Sequence, residues 1–239
     1  LPSLKLTQTM HGVHAKRFRT PKAIQIFDRF ATYNGSSPYQ APGTLSMIPH
    51  LEFGFGTFVP YGGMVAITNS LVALAQRQGV VFHYGKGVER IRVEGRSATG
   101  LVVQGADVLA DVVISNMDVT PTYRRLMPDL PAPEKTLAQE RSSSAFIFYW
   151  GLRREFPELD LHNILFANDY EAEFRDLFER KVLHDDPTVY VHITSKDLEG
   201  EAPAGGENWF VMINAPANYG QDWLALRAQA RSAILAKIQ

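Results

Sequence analysis

Ala145-Phe146-Ile147-Phe148-Tyr149-Trp150 is the stretch whose reading decides the fold. This apolar, aromatic run reads as a β-strand, its side chains alternating between the two faces of a sheet. Runs of the same character follow at 163–166, 189–194 and 209–213, with an amphipathic helix over 170–180 between the second and third. A last helix begins near Asp222 and carries Leu224, Ala228, Ala233 and Leu235 among its apolar positions. The expected class is α+β, a mixed β-sheet covered on one side by helices.

Upstream, Thr20-Pro21 is a helix start, an N-cap followed by proline at the first helical position. Ile24, Phe27, Phe30 and Ala31 repeat at helical spacing until Asn34-Gly35 supplies a stop. A second helix starts near Gly63, with Met64, Ile67, Leu71, Leu74 and Ala75 on one face and Gly79 at its end. Short strands are expected next. Val80, Phe82 and Tyr84 alternate with Val81 and His83, and Ile91 and Val93 lead into the turn Glu94-Gly95-Arg96. Residues 99–103 lead into a turn near Gly105, and Val112-Val113-Ile114 reads as a short buried strand. The proline-rich stretch 121–133 holds a short helix and a connection.

Composition closes off several classes. The 239 residues carry 24 basic and 25 acidic side chains, which lack the basic excess of a nucleic-acid binder. With no cysteine there is no disulfide framework, thiolate nucleophile or cysteine-based zinc site. His11 and His14 stand three apart but have no carboxylate in a metal-binding pattern, so they read as a surface pair and no metal is expected. Ser142-Ser143-Ser144 lacks the strand-to-helix elbow of a nucleophile and reads as a polar strand entrance.

Two features bear on binding. Pro60-Tyr61-Gly62-Gly63-Met64 puts two glycines at a helix N-terminus, where free N–H groups could face a ligand or simply make a turn. No G-x-G-x-x-G follows a strand, so the usual pyrophosphate site is missing. Phe146, Phe148, Tyr149 and Trp150 share one strand, and Phe166, Tyr190, Trp209 and Phe210 lie in its expected neighbours. One face of that sheet must build the core, and the remaining aromatics could wall a site for a long apolar substrate.

Several segments, in order, resemble those of phytoene-desaturase-type flavoenzymes. They are Phe30-Ala31-Thr32-Tyr33-Asn34-Gly35-Ser36-Ser37-Pro38, Pro60-Tyr61-Gly62-Gly63-Met64, Val88-Glu89-Arg90-Ile91, Ala110-Asp111-Val112-Val113-Ile114-Ser115-Asn116 and Asp185-Asp186-Pro187-Thr188-Val189-Tyr190-Val191. The resemblance implies an FAD-dependent oxidoreductase that desaturates carotenoid or related isoprenoid chains, passing electrons from C–C single bonds to the flavin. A carotenoid isomerase, or an oxidase of another apolar substrate, is the sibling alternative. It implies three regions: 1–60, a helical part of the substrate domain; 61–118, part of an amine-oxidase-like FAD-binding domain; and 119–239, the substrate-domain sheet and helices. Val88 is the implied adenine contact, Gly62 and Gly63 lie on the flavin side, and Phe146, Phe148, Trp150, Phe166 and Trp209 are the implied substrate wall. No catalytic residue is implied.

The glycine-rich segments that the family carries before and after this stretch are absent from the chain. The expectation is therefore a central piece that by itself binds lipophile without catalysis and lacks most of the FAD-holding surface. Its uncovered apolar face should drive self-association. The substrate implied is a long hydrophobic isoprenoid drawn from a membrane, which makes the parent a cytoplasmic protein with peripheral contact to the inner membrane.

Overall fold

In the computed structural model, residues 5–239 are described. They divide into two units, residues 5–57 with Arg141–Gln239, and Phe58–Glu140. The first segment of the first unit begins with α1 (Met10–Arg17), capped by the Thr9 hydroxyl. Helix α2 (Pro21–Asp28) follows, and the Thr20 side chain accepts from Ala23 N–H as the Thr-Pro start requires. The chain then tightens into a 3-10 turn, Arg29–Asn34, and stops at Gly35 with φ +60°. Glycine is obligatory there: an added Cβ would lie 2.8 Å from the Ser142 Cβ, and Ser143 N–H donates to the Gly35 carbonyl at 2.8 Å. A second 3-10 turn, Gly43–Ser46, leads into α3 (Met47–Phe55).

The second unit starts with α4 (Val65–Arg77), which follows Gly62 and Gly63 at φ +83° and +74°. Strands β1 (Val88–Glu94), β2 (Ser97–Val103) and β3 (Ala106–Leu109) form an antiparallel meander in the order β1-β2-β3. After it come the short α5 (Val119–Pro121), a π-helical turn at Thr122–Leu126, and α6 (Glu134–Leu137).

The second segment of the first unit carries β4 (Ser144–Leu152), β5 (His162–Leu165), α7 (Tyr170–Arg175), β6 (Val189–His192), β7 (Glu207–Ala215) and α8 (Trp223–Ile238). The four strands form one sheet in the order β4-β7-β6-β5. Phe146 pairs with Ile213, Trp150 with Trp209, Val191 with Val211 and Ile164 with Tyr190. Alternation decides what each face does. Trp209, Val211 and Ile213 of β7 and Val189 and Val191 of β6 are buried, and α8 closes over them with Ala230 and Ile234, both wholly buried. Each such apolar side chain contributes about 1.5–3 kcal/mol on leaving water. The Asp222 carboxylate starts α8 by accepting from Leu224 and Ala225 N–H.

Four expectations need correction. Every pairing in the four-stranded sheet is antiparallel, so it is not mixed; the strands meet as β4 with β7, β7 with β6 and β6 with β5, and none of these contacts is a parallel crossover. Residues 80–84 form no strand, and Phe82 and Tyr84 stack on each other at 5.7 Å instead. Val112-Val113-Ile114 is not a strand either, with Val112 74% and Ile114 89% exposed. In both places the apolar pattern is present, but no described strand lies alongside to complete the ladder. The boundary expected after 118 falls after 140, because Thr122 and Leu126 are buried within the second unit and Arg90 pairs with Asp129 at 2.8 Å. Among the described residues, no helix is long and apolar enough to cross a membrane.

Candidate functional site

The face of the four-stranded sheet turned away from α8 carries Ile147 and Tyr149 of β4, Phe210 and Met212 of β7, Tyr190 and His192 of β6, and His162 of β5. Tyr149 and Phe210 meet edge to face at 5.5 Å. Where this face passes beneath α2, the 3-10 turn and α3, it walls an open groove of about 800 Å³, within the usual size range of ligand sites. The helices supply Ile26, Phe30, Ile48, Leu51, Phe53 and Phe55, and the sheet supplies Ile164. Phe53 and Phe55 are more than two-thirds exposed, so the groove presents rings to whatever enters it.

Besides Thr57, the same groove holds five polar groups: Arg29, Tyr33, Glu52, His162 and Tyr190. The first two both belong to the 3-10 turn, Arg29–Asn34. Tyr33 donates to both Glu52 carboxylate oxygens at 3.3 Å. The Arg29 guanidinium stands 5.9 Å from the Tyr33 ring centre and 4.9 Å from that of Tyr190. The Tyr190 hydroxyl and His162 Nδ1 lie 2.8 Å apart, and the His162 ring stacks on His192 at 4.9 Å. Burial pushes the Tyr33 and Tyr190 phenols up, with Glu52 adding to the effect on Tyr33 and Arg29 opposing it on both. Burial and the His162 ring push the His192 imidazole down. At neutral pH the Tyr33 and Tyr190 phenols therefore keep their protons and the His192 imidazole is neutral.

A second cavity, of about 620 Å³, shares Phe53 and is lined by Phe18, Phe27, Met47 and His14. His14 and His11 are not a surface pair. His14 is 3% and Asp28 1% exposed, and each imidazole Nδ1 lies 2.7 Å from its own Asp28 oxygen. His14 Nε2 reaches Ser46 Oγ at 3.0 Å. Serine, histidine and aspartate thus stand in series, but Ser46 sits at a 3-10-to-α junction rather than on an exposed elbow, and the fourth member, His11, takes the other carboxylate oxygen. The arrangement ties α1, α2 and the second 3-10 turn together. Among the described residues, no group of histidine, aspartate and glutamate has the geometry to hold a metal ion.

The expected substrate wall is placed elsewhere. Phe146, Phe148 and Trp150 pack with Trp209 into the core beneath α8, and Phe146 meets Trp223 edge to face at 5.5 Å. Phe166 packs with Tyr170 and Phe174. None of these five residues lines the 800 Å³ groove. The strand lies where the sequence places it, and the even-numbered positions of β4 point into the core. Arg29, Tyr33, Glu52 and His162 line the groove, and no sequence pattern singles them out. The signal for Tyr190 and His192 lies in parity, since Val189 and Val191 read as core and leave 190 and 192 to the other face.

In the second unit, Val88 opens β1, an edge strand of the meander, opposite Val103. It lines a cavity of about 380 Å³ with Ile91, Leu101, Val113, Ser115 and Asn116. Gly62 and Gly63 do not line that cavity. Their left-handed backbone turns the chain into α4, and an added Cβ at Gly63 would meet nothing within 4 Å. An edge strand has backbone donors and acceptors free of a ladder on one side, and the glycine pair leaves open space before a helix. Both suit parts of a dinucleotide.

A family model described as flavin containing amine oxidoreductase matches residues 4–197. The chain is 53% identical over its whole length to the 1-hydroxycarotenoid 3,4-desaturase of Flavobacterium sp. (strain P99-3), of which it covers 49%. It is 34% identical, over 93% of its length, to the zeta-carotene-forming phytoene desaturase of Myxococcus xanthus, of which it covers 44%. The chain thus spans about half the length of the curated relatives it matches. A crystal structure of an oxidoreductase from Methanosarcina mazei superposes with TM-score 0.68 over 97% of this chain and 52% of its own, at 18% identity, and shares the fold.

Proposed function

We infer, for a chain that belongs to the flavin-containing amine oxidoreductase family, that the protein it forms part of desaturates carotenoid or related isoprenoid chains. The observation that carries this reading is the match to a carotenoid desaturase over the whole of the chain. The apolar groove of about 800 Å³ supports it, because a polyene binds by burying hydrocarbon against rings such as Phe30, Phe53 and Phe55. No acid–base pair is needed at such a site. When bound, FAD supplies the two-electron acceptor for carbon–carbon desaturation. Val88 would meet the adenine through its edge-strand backbone, and Gly62 and Gly63 would let the cofactor approach closely. The chain's own groove residues hold the hydrocarbon in place and exclude water from it.

The test uses the full-length protein reconstituted with FAD and an acyclic carotenoid precursor in liposomes. Desaturation shifts the absorption of the product to longer wavelength and removes two hydrogen atoms per step by mass. Product of unchanged mass would replace desaturation with isomerisation, and gain of oxygen would replace it with oxidation.

Two further proposals concern surroundings. The substrate's insolubility favours contact with a membrane surface, and sedimentation of the full-length protein with liposomes tests this. The exposed apolar side chains of the second unit, among them Val81, Leu109, Val112, Ile114 and Leu71, favour self-association of the chain on its own. Light scattering showing a monomer at high concentration would refute that.

A further inference from the structure

A groove built only for hydrocarbon has no use for a guanidinium, a carboxylate, two phenols and an imidazole, since each such group that a bound chain shields from water must be matched. These five groups are not scattered among the rings. They run in one line, from Glu52 on α3 through Tyr33 and Arg29 to Tyr190 on β6 and His162 on β5.

Hydrogen-bond capacity along the line is only partly used. Glu52 receives the Tyr33 hydroxyl, and Arg29 lies against the two tyrosine rings. At the far end the Tyr190 hydroxyl has one hydrogen-bond partner among the described residues, His162 Nδ1, at 2.8 Å. A phenol both donates and accepts, so this contact occupies one of its capacities and leaves the other. The same holds for His162, whose second ring nitrogen is separate from the contact to Tyr190. Arg29 sits over the Tyr190 ring and so fixes the position of the phenol.

We propose that Tyr190 and His162, with Arg29 as the positioning residue, form a specificity site that selects polyene chains by an oxygen function, such as a hydroxyl, carried on an otherwise apolar molecule. The inference rests on the reading of the groove as a polyene site. Tyr190 and His162 offer one donor and one acceptor, the complement that an alcohol needs. An unsubstituted chain leaves both without a partner after water is expelled, and that asymmetry makes hydrogen-bonding pockets more selective than apolar ones.

The experiment compares the full-length FAD-loaded protein with its Tyr190→Phe and His162→Asn variants. The substrates are an acyclic polyene with a terminal hydroxyl and its unsubstituted analogue. The wild-type protein should prefer the hydroxylated chain, and Tyr190→Phe should reduce the ratio of the two kcat/KM values by about 10-fold or more, mainly through KM. Arg29→Lys should shift the ratio in the same direction by less, because charge is kept and the planar face is lost. Equal losses on both substrates, or an unchanged ratio in both variants, would overturn the proposal. Binding of the two polyenes is also measured without turnover, by quenching of tryptophan fluorescence. If the wild-type protein turns over neither chain, the desaturase reading fails, while the binding ratio still decides the end-group site. Equal binding of both polyenes to wild type and variants refutes the site.

Discussion

Glu207 is the buried polar residue on which the first unit should depend most, and replacing it by alanine makes the argument measurable. Its side chain is 2% exposed and receives three donors: Lys196 Nζ at 2.7 Å, the Phe156 N–H at 2.9 Å and the Trp209 indole N–H at 2.8 Å. Glu207→Ala leaves the indole and the amide without an acceptor inside the fold, at about 1–3 kcal/mol each. Lys196 is 20% exposed and also donates to the Phe156 carbonyl at 2.7 Å, so its ammonium adds less than a fully buried charge would. The total lies at about 3–5 kcal/mol, the range for breaking a buried pair by removing one partner. Glu207→Gln keeps one carbonyl acceptor and should cost about half as much. The assay is urea unfolding followed by tryptophan fluorescence, which reports on this unit alone because Trp150, Trp209 and Trp223 all lie within Arg141–Gln239. With a slope of about 3 kcal/mol per molar urea, the midpoint of Glu207→Ala should fall by about 1 M or more. A fall of less than about 0.3 M would mean that water or rearrangement satisfies the donors, and the reasoning from buried partners would be wrong.

Acid should destabilise the same unit. Burial pushes the carboxyls of Glu207, Asp176 and Asp186 up, but their partners outweigh it and hold all three below the ordinary range: Lys196, Phe156 and Trp209 for the first, His184 and Arg180 for the second, Asn168 and Lys237 for the third. Their stabilisation is complete above the unfolded carboxylate range of about pH 4 and is lost as pH falls through the depressed values, so the urea midpoint should drop there. Glu173 has the opposite sign. Burial raises its carboxyl against hydrogen bonds from Thr188 and Asn214, so it subtracts stability as pH rises from the ordinary glutamate value through its raised one. The stability difference between Glu173→Gln and wild type should move in favour of glutamine over that interval, and a flat difference would contradict the assignment. Gly35→Ala must accept φ +60° and a 2.8 Å approach to Ser142 Cβ; it should cost more than Gly79→Ala, which is also left-handed but meets nothing within 4 Å and should lose about 1–2 kcal/mol. Thermal unfolding compares the two. Val88→Pro removes one N–H at the first residue of an edge strand, where proline is tolerated. It should weaken FAD binding by the full-length protein about 10-fold if that backbone group meets the adenine, and unchanged affinity by flavin fluorescence would remove Val88 from the site.

Much of the fold could be read from local signals. Thr20-Pro21, Asn34-Gly35 and Asp222 mark helix ends through chemistry that acts within a few residues, and each was found where expected. The four late strands were legible from their apolar content. What failed needed a partner to be visible. The 80–84 and 112–114 runs have strand patterns but no described neighbour to pair with, and exposure rather than burial is the result. The candidate groove was the least legible part. A strand's two faces look alike when both carry aromatics, so Phe146 and Phe148 could not be told from Ile147 and Tyr149 until α8 was placed. Arg29 and Glu52 gave no signal at all, since charged residues on short helices are ordinarily solvated. Asp28 lies 14 residues from His14, so the pairing that buries both depends on α1 and α2 folding back on each other.

The strand order β4-β7-β6-β5 also sets a timetable. Leu152 at the end of β4 pairs with Glu207 at the start of β7, so every residue between them must leave the ribosome before that ladder can close. The β1-β2-β3 meander closes through neighbouring turns, a process of microseconds once its residues are free. The second unit, encoded between the two segments of the first, is therefore expected to be structured while β4 is still single and its aromatic side chains are uncovered. Synthesis, at a few residues per second to about 20, leaves that strand waiting for seconds. During that wait the chain is at its greatest risk of aggregation and has most need of a chaperone.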